Sequence, residues 1–236
     1  MMQNTKAFLL SYIKYGDTSL ILRCYTEEYG FKSFILKNYF FKKYRKKYFL
    51  FILNEIEIIF YPKKNDSLEL VKEINPSYFF KEIHTDLIKS SILTFIGEIL
   101  NQILSNEHVK DLSLYQFIKT HLIALDNRKN NFADFHLYFL INLSKYLGFY
   151  PLNTNSKLPY FNLDDGIFSL KGKSINQENN SHLWNILLEY DFNDEKNCFN
   201  STQRSQMLEE ILTYYKMHLT NFKKPTSLDI LKLIFE

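Results

Sequence analysis

The chain has 236 residues, 23% of them charged, and a formal net charge of +3, which is typical of a globular protein. A chain of this length can fold without disulfides or structural metals, and its two cysteines, Cys24 and Cys198, are too few for a zinc site. Since we find neither a secretory signal nor an uncharged apolar run of about 18 residues, we expect no membrane span and a cytoplasmic location.

The positive charge is concentrated near the N-terminus. Residues 1–80 carry 13 Lys and Arg against 8 Asp and Glu, whereas the remainder carries 16 against 18. The sequence also has 17 Tyr and 22 Phe, and such rings either pack in a core or offer faces for nucleic-acid bases. A basic N-terminal region is expected where a protein meets a polyanion.

The first 75 residues show the pattern of short strands. Five extended segments alternate with turns, and they lie at residues 6–14, 19–26, 31–37, 54–61 and 68–74. Within 19–26, Leu20, Leu22 and Cys24 are predicted to face one side, opposite Ile21 and Arg23. Five such strands predict a small barrel of the size of an OB fold.

Beyond Pro76 the apolar residues recur at three- and four-residue spacing, which is typical of amphipathic helices. The first predicted helix begins near Ile83, and an Asp-Gly turn predicts a small hairpin insertion near residues 158–170. The sequence therefore predicts an α+β protein, with a nucleic-acid-binding OB-fold barrel of five strands at residues 1–78 and a mostly helical domain at residues 79–236.

A basic and aromatic run lies between the third and fourth predicted strands. From Lys32 to Lys47 there are seven basic residues and no acidic residue, with aromatic residues interleaved. Cations hold phosphates and rings stack on bases, so the pattern predicts nucleic-acid binding. The alternative is a solvated loop whose rings anchor it to the barrel. The residues expected to contact DNA are Arg23, Lys32, Lys37, Tyr39, Phe41, Lys42, Lys43, Tyr44, Arg45, Lys46, Lys47 and Tyr48.

The sequence gives no positive support for enzymatic activity. It has no phosphate-binding Gly-rich loop, no histidine pair at zinc-site spacing and no nucleophile elbow. Asp164 and Asp165 precede Gly166, so turn formation explains them better than acid–base or metal chemistry. We expect no catalytic residue, no cofactor and no bound metal.

The segment 135–149 is more apolar than one buried helix face requires. Core packing is the more frequent explanation, and a groove that receives an apolar peptide of a partner is the alternative. In the second case Phe135, Phe139 and Leu143 would contact the partner.

Several motifs follow one another along the chain in a characteristic order. They are the apolar run at 6–10, Tyr-Gly-Asp-Thr-Ser at 15–19, Tyr-Thr-Glu-Glu-Tyr-Gly at 25–30, the helix segment 89–100, Tyr-Leu-Gly-Phe-Tyr-Pro at 146–151, the hairpin 160–168 and the helix segment 204–219. In this order they resemble the RecO family of bacterial recombination mediators, in its subgroup without a zinc finger.

The resemblance implies a mediator of DNA repair and recombination in the DNA damage response. Such proteins bind single- and double-stranded DNA, anneal complementary strands and, with RecR, help load RecA onto strands coated by single-stranded DNA-binding protein. The implied partners are DNA, RecR, the C-terminal tail of single-stranded DNA-binding protein and, indirectly, RecA, with no membrane partner. The implied location is the bacterial cytoplasm, at the nucleoid. The alternative function is a protein–protein adaptor whose basic loop does not bind DNA.

The chain departs from the family pattern at two places. Asn38 and residues 49–52 replace a Gly and a Leu-Gln-Pro of other members, which changes the geometry of the basic loop. Near Asp134 and His136 other members carry arginine that would meet the acidic tail. Because an acid stands here, a tail site would need other cations, of which Lys145 is the candidate.

Overall fold

The computed structural model describes residues 1–40, 49–63, 68–154, 158–170, 180–192 and 196–235. Contacts between Cα atoms divide the chain into two compact units, Met1–Asn127 and Arg128–Glu236. The predicted boundary at residue 78 separates strands from helices. Residue 78 as the end of the OB-fold domain stays a prediction, because the compact unit that contains the barrel also contains two helices.

In the residues that the structure describes, the N-terminal unit contains five strands and two helices. They are β1 (Gln3–Tyr15), β2 (Ser19–Thr26), β3 (Gly30–Leu36), β4 (Glu55–Tyr61), β5 (Glu69–Pro76), α1 (Leu87–Leu104) and α2 (Leu112–Asn127). The strands close into a barrel in the order β1-β2-β3-β5-β4, in which only β3 and β5 pair in parallel. This closed five-stranded barrel followed by helices confirms the predicted fold class.

The barrel is filled by the alternating faces that the sequence indicated. Leu20, Leu22 and Cys24 of β2 are buried in its core, whereas Arg23 is exposed on the outer face. Tyr25 lies on the outer side and is nevertheless buried, because its ring stacks on Tyr115 of α2 with centroids 6.3 Å apart. The helices therefore cover part of the outer surface of the barrel.

β1 is longer than the barrel needs. It pairs with β4 from Gln3 to Phe8 and with β2 as far as Tyr15, with a register shift between Leu9 and Ser11. A bulge of this kind bends a strand and increases its twist. Among the described strands, the second half of β1 pairs with β2 alone, whereas residues 20–23 of β2 also pair with β3. We call the segment of residues 11–23 the arm.

α1 begins at Leu87 and not near Ile83, as the apolar spacing predicted. The Asp126 carboxylate accepts hydrogen bonds from the backbone N–H groups of residues 81–83, which holds that segment as a turn. The Asp86 side chain then caps the helix by accepting from the backbone N–H of Lys89 at 2.9 Å. The helix start is thus decided by two carboxylates rather than by apolar periodicity.

α1 is long and apolar enough to cross a membrane by length and composition, with a mean hydropathy of 1.3 over 18 residues. Half of that window is buried in the fold, as in a core helix of a soluble protein. Lys89 and Glu98 interrupt the apolar run, which is why the sequence predicted no span.

The second unit contains four helices and one hairpin in its described part. They are α3 (Phe135–Tyr146), β6 (Tyr160–Asn162), β7 (Ile167–Ser169), α4 (Ser181–Glu189), α5 (Ser201–His218) and α6 (Leu228–Phe235). The hairpin turns at Gly166, whose φ of 63° favours glycine. Phe161 of β6 stacks on Trp184 of α4 with ring centroids 4.2 Å apart, so an aromatic contact fastens the hairpin to the helices.

A buried ion pair joins three segments of this unit. The fully buried Asp134 precedes α3 and accepts a hydrogen bond from Nε of Arg204, on α5, at 2.8 Å. The same carboxylate accepts from the backbone N–H groups of Cys198 and Phe199. Because the charges are removed from water, loss of one partner leaves the other without compensation.

We predict that Asp134→Asn lowers the free energy of unfolding of the helical unit by about 3–5 kcal/mol, the cost of breaking a buried pair. Urea unfolding followed by the fluorescence of Trp184, the single tryptophan, measures it. Asp164→Asn changes an exposed acid of the hairpin turn and serves as the control, with an expected effect below about 0.5 kcal/mol. An equal effect of the two substitutions would contradict the prediction.

The imidazole of His136 gives the same unit a dependence on pH. Burial, and then the charge of Arg204, lower the pKa of His136 from 6.5 to about 3. The unfolded chain therefore takes up a proton between those values that the folded chain does not, and stability falls as the pH drops. Between pH 7 and pH 5 we predict a loss of about 2 kcal/mol from this group.

Urea midpoints at pH 5, 6 and 7 test that dependence, again with Trp184 as the probe. In His136→Gln the pH slope should flatten, whatever the substitution does to stability at pH 7. An unchanged slope in the variant would assign the effect to another group.

Candidate nucleic-acid interface

Most of the predicted DNA-binding run lies outside the described residues. Phe41 to Tyr48 belong to that part, including all the cations from Lys42 to Lys47. The described members of the predicted set are Arg23, Lys32, Lys37 and Tyr39.

Arg23 and Lys37 lie on the outer surface of the barrel and are exposed. Arg23 stands opposite Ser33 of β3 and Ser11 of β1 in the strand register. Lys37 follows the last residue of β3. Both positions leave the charged group accessible to a phosphate.

Lys32 has a structural contact that its sequence position did not indicate. Its Nζ atom lies 3.3 Å from Oε1 of Glu69, whose side chain is only 4% exposed. Glu69 also accepts a hydrogen bond from the backbone N–H of Lys63. Lys32 therefore neutralises a buried carboxylate where β3 meets β5, and its charge is largely used within the barrel.

The same lysine lines a small pocket at this place. The pocket has a volume of about 290 Å³, and its wall includes Lys32, His108, Lys110, Glu28 and Glu69. Because the lining carries both signs of charge, the pocket has no clear preference for an anion or a cation.

Tyr39 acts as an anchor in this structure. It is partly buried and packs against the barrel core. Burial, and then the neighbouring Tyr12, raise the pKa of Tyr39 above its usual value. This placement is the one described by the alternative interpretation, in which rings of the basic loop hold it to the barrel.

The exposed rings are others, which the sequence did not single out. On the arm Tyr12 is 48% exposed and Tyr15 54%, and Phe40 beyond β3 is 43% exposed. Nζ of Lys14 lies 5.7 Å from the centroid of the Phe40 ring. We call Tyr12, Lys14, Tyr15 and Phe40 the arm cluster. In sequence, the residues of the arm alternate as in any strand. Their exposure becomes evident only in the structure, where the pairing of β1 with β4 ends at Phe8.

The arm cluster lies at one end of the barrel. Lys14 pairs with Leu20, Leu20 pairs with Leu36, and the β1–β2 turn at residues 16–18 follows directly. In OB folds the face of strands two and three and the loop between strands one and two take part in oligonucleotide binding. The arm cluster thus lies next to the β1–β2 turn, which corresponds to one of these loops.

The predicted partner-binding residues of the helical unit are placed differently. Phe135, Phe139 and Leu143 are completely buried and belong to the core, so they offer no surface to a peptide. The segment is rich in apolar residues because α3 is buried on several sides. Lys145 is exposed, and its Nζ donates a hydrogen bond to Oδ1 of Asn142 at 2.7 Å.

Among the residues that the structure describes, no three His, Cys, Asp or Glu side chains form a group that could hold a metal ion. The N-terminal unit thus carries exposed rings and cations on a closed five-stranded barrel, and this fold places it in the class of OB-fold proteins.

Comparison with known proteins gives the family. The family model "Recombination protein O N terminal" matches residues 1–80, and "Recombination protein O C terminal" matches residues 84–228. The chain is 37% identical over 239 residues to the DNA repair protein RecO of Flavobacterium psychrophilum and 36% identical over 238 residues to that of Flavobacterium johnsoniae. The DNA repair protein RecO of Bacteroides fragilis is 33% identical over 248 residues, and each comparison covers both chains completely.

The chain therefore belongs to the RecO family of recombination and DNA repair proteins, as the order of its motifs predicted.

Proposed function

We propose that this protein is a recombination mediator that binds single- and double-stranded DNA and anneals complementary strands. With RecR it would help load RecA onto strands coated by single-stranded DNA-binding protein. The observation that carries the proposal is the arm cluster on an OB-type barrel, next in sequence to a run of five cations between residues 42 and 47.

Cations and rings contribute to DNA binding in different ways. Each phosphate that a Lys or Arg neutralises releases counterions, which favours binding to any DNA and makes the affinity depend on salt. A ring stacks only on a base that has left its own stack. A surface with both groups can hold two single strands loosely enough for them to pair.

A mediator of this kind makes and breaks no covalent bond. It works by competing binding equilibria, in which a ligand shifts the population of the state that it binds better. The proposal therefore includes no catalytic residue and no cofactor, and it places the protein in the bacterial cytoplasm at the nucleoid.

The tail of single-stranded DNA-binding protein would bind the helical unit. Asp134, which seemed from the sequence to oppose an acidic tail, is buried and neutralised by Arg204. It is therefore no obstacle at the surface. Lys145, at the exposed end of α3, stays the proposed cation for the tail.

Titration of a fluorescent oligo(dT) at several salt concentrations tests the DNA proposal. We expect micromolar or tighter binding, with a log–log salt slope of about −3 to −5, since roughly four to seven phosphate contacts at ~0.7 each produce it. Neutralising Lys42, Lys43, Arg45, Lys46 and Lys47 together to Gln should weaken binding strongly and make the slope shallower. Unchanged affinity of this variant at low salt would remove the basic run from the site.

A pair of single-site comparisons separates exposed cations from structural ones. Arg23→Gln should weaken oligonucleotide binding and reduce the magnitude of the salt slope by about 0.7, with little change in stability, because the side chain is exposed. Lys32→Gln should instead lower the free energy of unfolding by about 1–3 kcal/mol, because Glu69 would be left buried without its cation. Equal effects of both variants on stability would contradict this assignment.

The adaptor alternative predicts a different outcome of the titration. If the intact protein bound no oligonucleotide even at low salt, while it captured proteins from nuclease-treated extract, the basic run would serve an acidic protein partner. Fold and family membership would be unaffected.

A further inference from the structure

The arm has an open side that faces the end of the barrel. In the register of β1 with β2, Tyr12 pairs with Leu22 and Lys14 with Leu20. Tyr12 and Lys14 therefore lie on the side of the sheet whose other residues, such as Leu22, fill the interior of the barrel. They are nevertheless exposed, because the pairing of β1 with β4 ends at Phe8. Interior-facing positions of β1 thus become a surface without a covering strand.

Phe40 is held beside this open side. Its backbone N–H donates to the carbonyl oxygen of Thr18 at 3.4 Å, and Nζ of Lys14 lies 5.7 Å from its ring centroid. Its ring contacts Tyr39 edge to face at 5.2 Å, and Tyr39 is itself packed on the core. Asn38, with a φ of 60°, lies in the turn between the end of β3 and Phe40 and directs the chain back toward Thr18. Phe40 is therefore positioned and still 43% exposed.

The charge around the open side is favourable to a nucleic-acid strand. Lys14 and Lys37 are exposed there, and the cations of the basic run begin two residues after Phe40. Within the arm, Asp17 at the turn is the acid. Tyr12 and Lys14 share one side of β1, and Lys14 lies beside the Phe40 ring. Exposed rings next to a lysine offer stacking faces and a phosphate contact together, which is the combination that a single strand of nucleic acid uses.

We propose that Tyr12, Lys14 and Phe40 form a base-stacking site that selects single-stranded over double-stranded nucleic acid. This inference rests on the proposed DNA binding and adds to it the site of strand selection. A duplex presents its phosphates but keeps its bases stacked inside, so it gains from the cations and not from the rings. An unpaired strand gains from both.

The test uses the double variant Tyr12→Leu with Phe40→Leu in the full chain. Its affinity is measured for oligo(dT), for an abasic deoxyribose-phosphate chain of the same length, and for a duplex. Loss of stacking is expected to weaken oligo(dT) binding by roughly 5- to 150-fold per base contact. Binding of the abasic chain and of the duplex should stay within about twofold, and the salt slope should not change, because no phosphate contact is removed.

Two controls separate stacking from a general loss of structure. Phe79→Leu removes another ring, 78% exposed at the connection between β5 and α1, and should leave all three affinities unchanged. Tyr12→Phe with Phe40→Tyr keeps both rings and should retain the preference for oligo(dT) over the abasic chain.

An equal loss of affinity for all three ligands, or no loss for oligo(dT), would overturn the stacking site and leave the DNA-binding proposal intact. Absence of binding by the unmodified protein to any of the three would overturn the DNA-binding proposal and this inference with it.

Discussion

The architecture of the N-terminal unit depends on β1, a single strand that pairs with its two neighbours over different parts of its length. Its first half must pair with β4 to close the barrel, and its second half must pair with β2. The bulge between Leu9 and Ser11 reconciles these demands, because an extra residue bends the strand and shifts its register. Closure removes the free strand edges of the barrel, and the excess length of β1 produces the arm. The arm cluster is thus a consequence of barrel closure rather than an added element.

Buried carboxylates explain why the net charge is a poor guide to the binding surface. Glu55 is buried, accepts a hydrogen bond from Tyr115 at 2.9 Å and pairs with Lys119, and this contact fastens β4 to α2. In the same way, Lys32 pairs with the buried Glu69, and Arg204 pairs with the buried Asp134. Each cation is required where it stands, because a buried charge without a partner costs several kcal/mol. Among the described residues, the cations available to a polyanion are therefore exposed ones such as Lys14, Arg23 and Lys37.

Periodicity in the sequence was sufficient for the strands, the helices and the fold class. Leu20, Leu22 and Cys24 face inward as their alternation predicted. The errors arise where a contact joins distant parts of the chain. The start of α1 was placed too early because Asp126, about forty residues away, holds residues 81–83 as a turn. The burial of Phe135 and its neighbours agrees with core packing, the explanation that the sequence favoured. The exposure of the arm depends on which elements cover it, and local spacing carries no information about that.

The division of the surface into rings and cations bears on how a mediator can both hold and release DNA. Phosphate contacts are insensitive to sequence, form with single and double strands alike, and compete with counterions. Stacking adds affinity only while a base is unpaired. A strand that finds its complement withdraws its bases into the duplex, so it loses the stacking contribution while the phosphate contacts persist. In the proposed function, the duplex is then held without the stacking contribution that held either single strand. A surface in which a few exposed rings sit beside many cations therefore favours release of the annealed product, without any conformational change or chemical step to drive it.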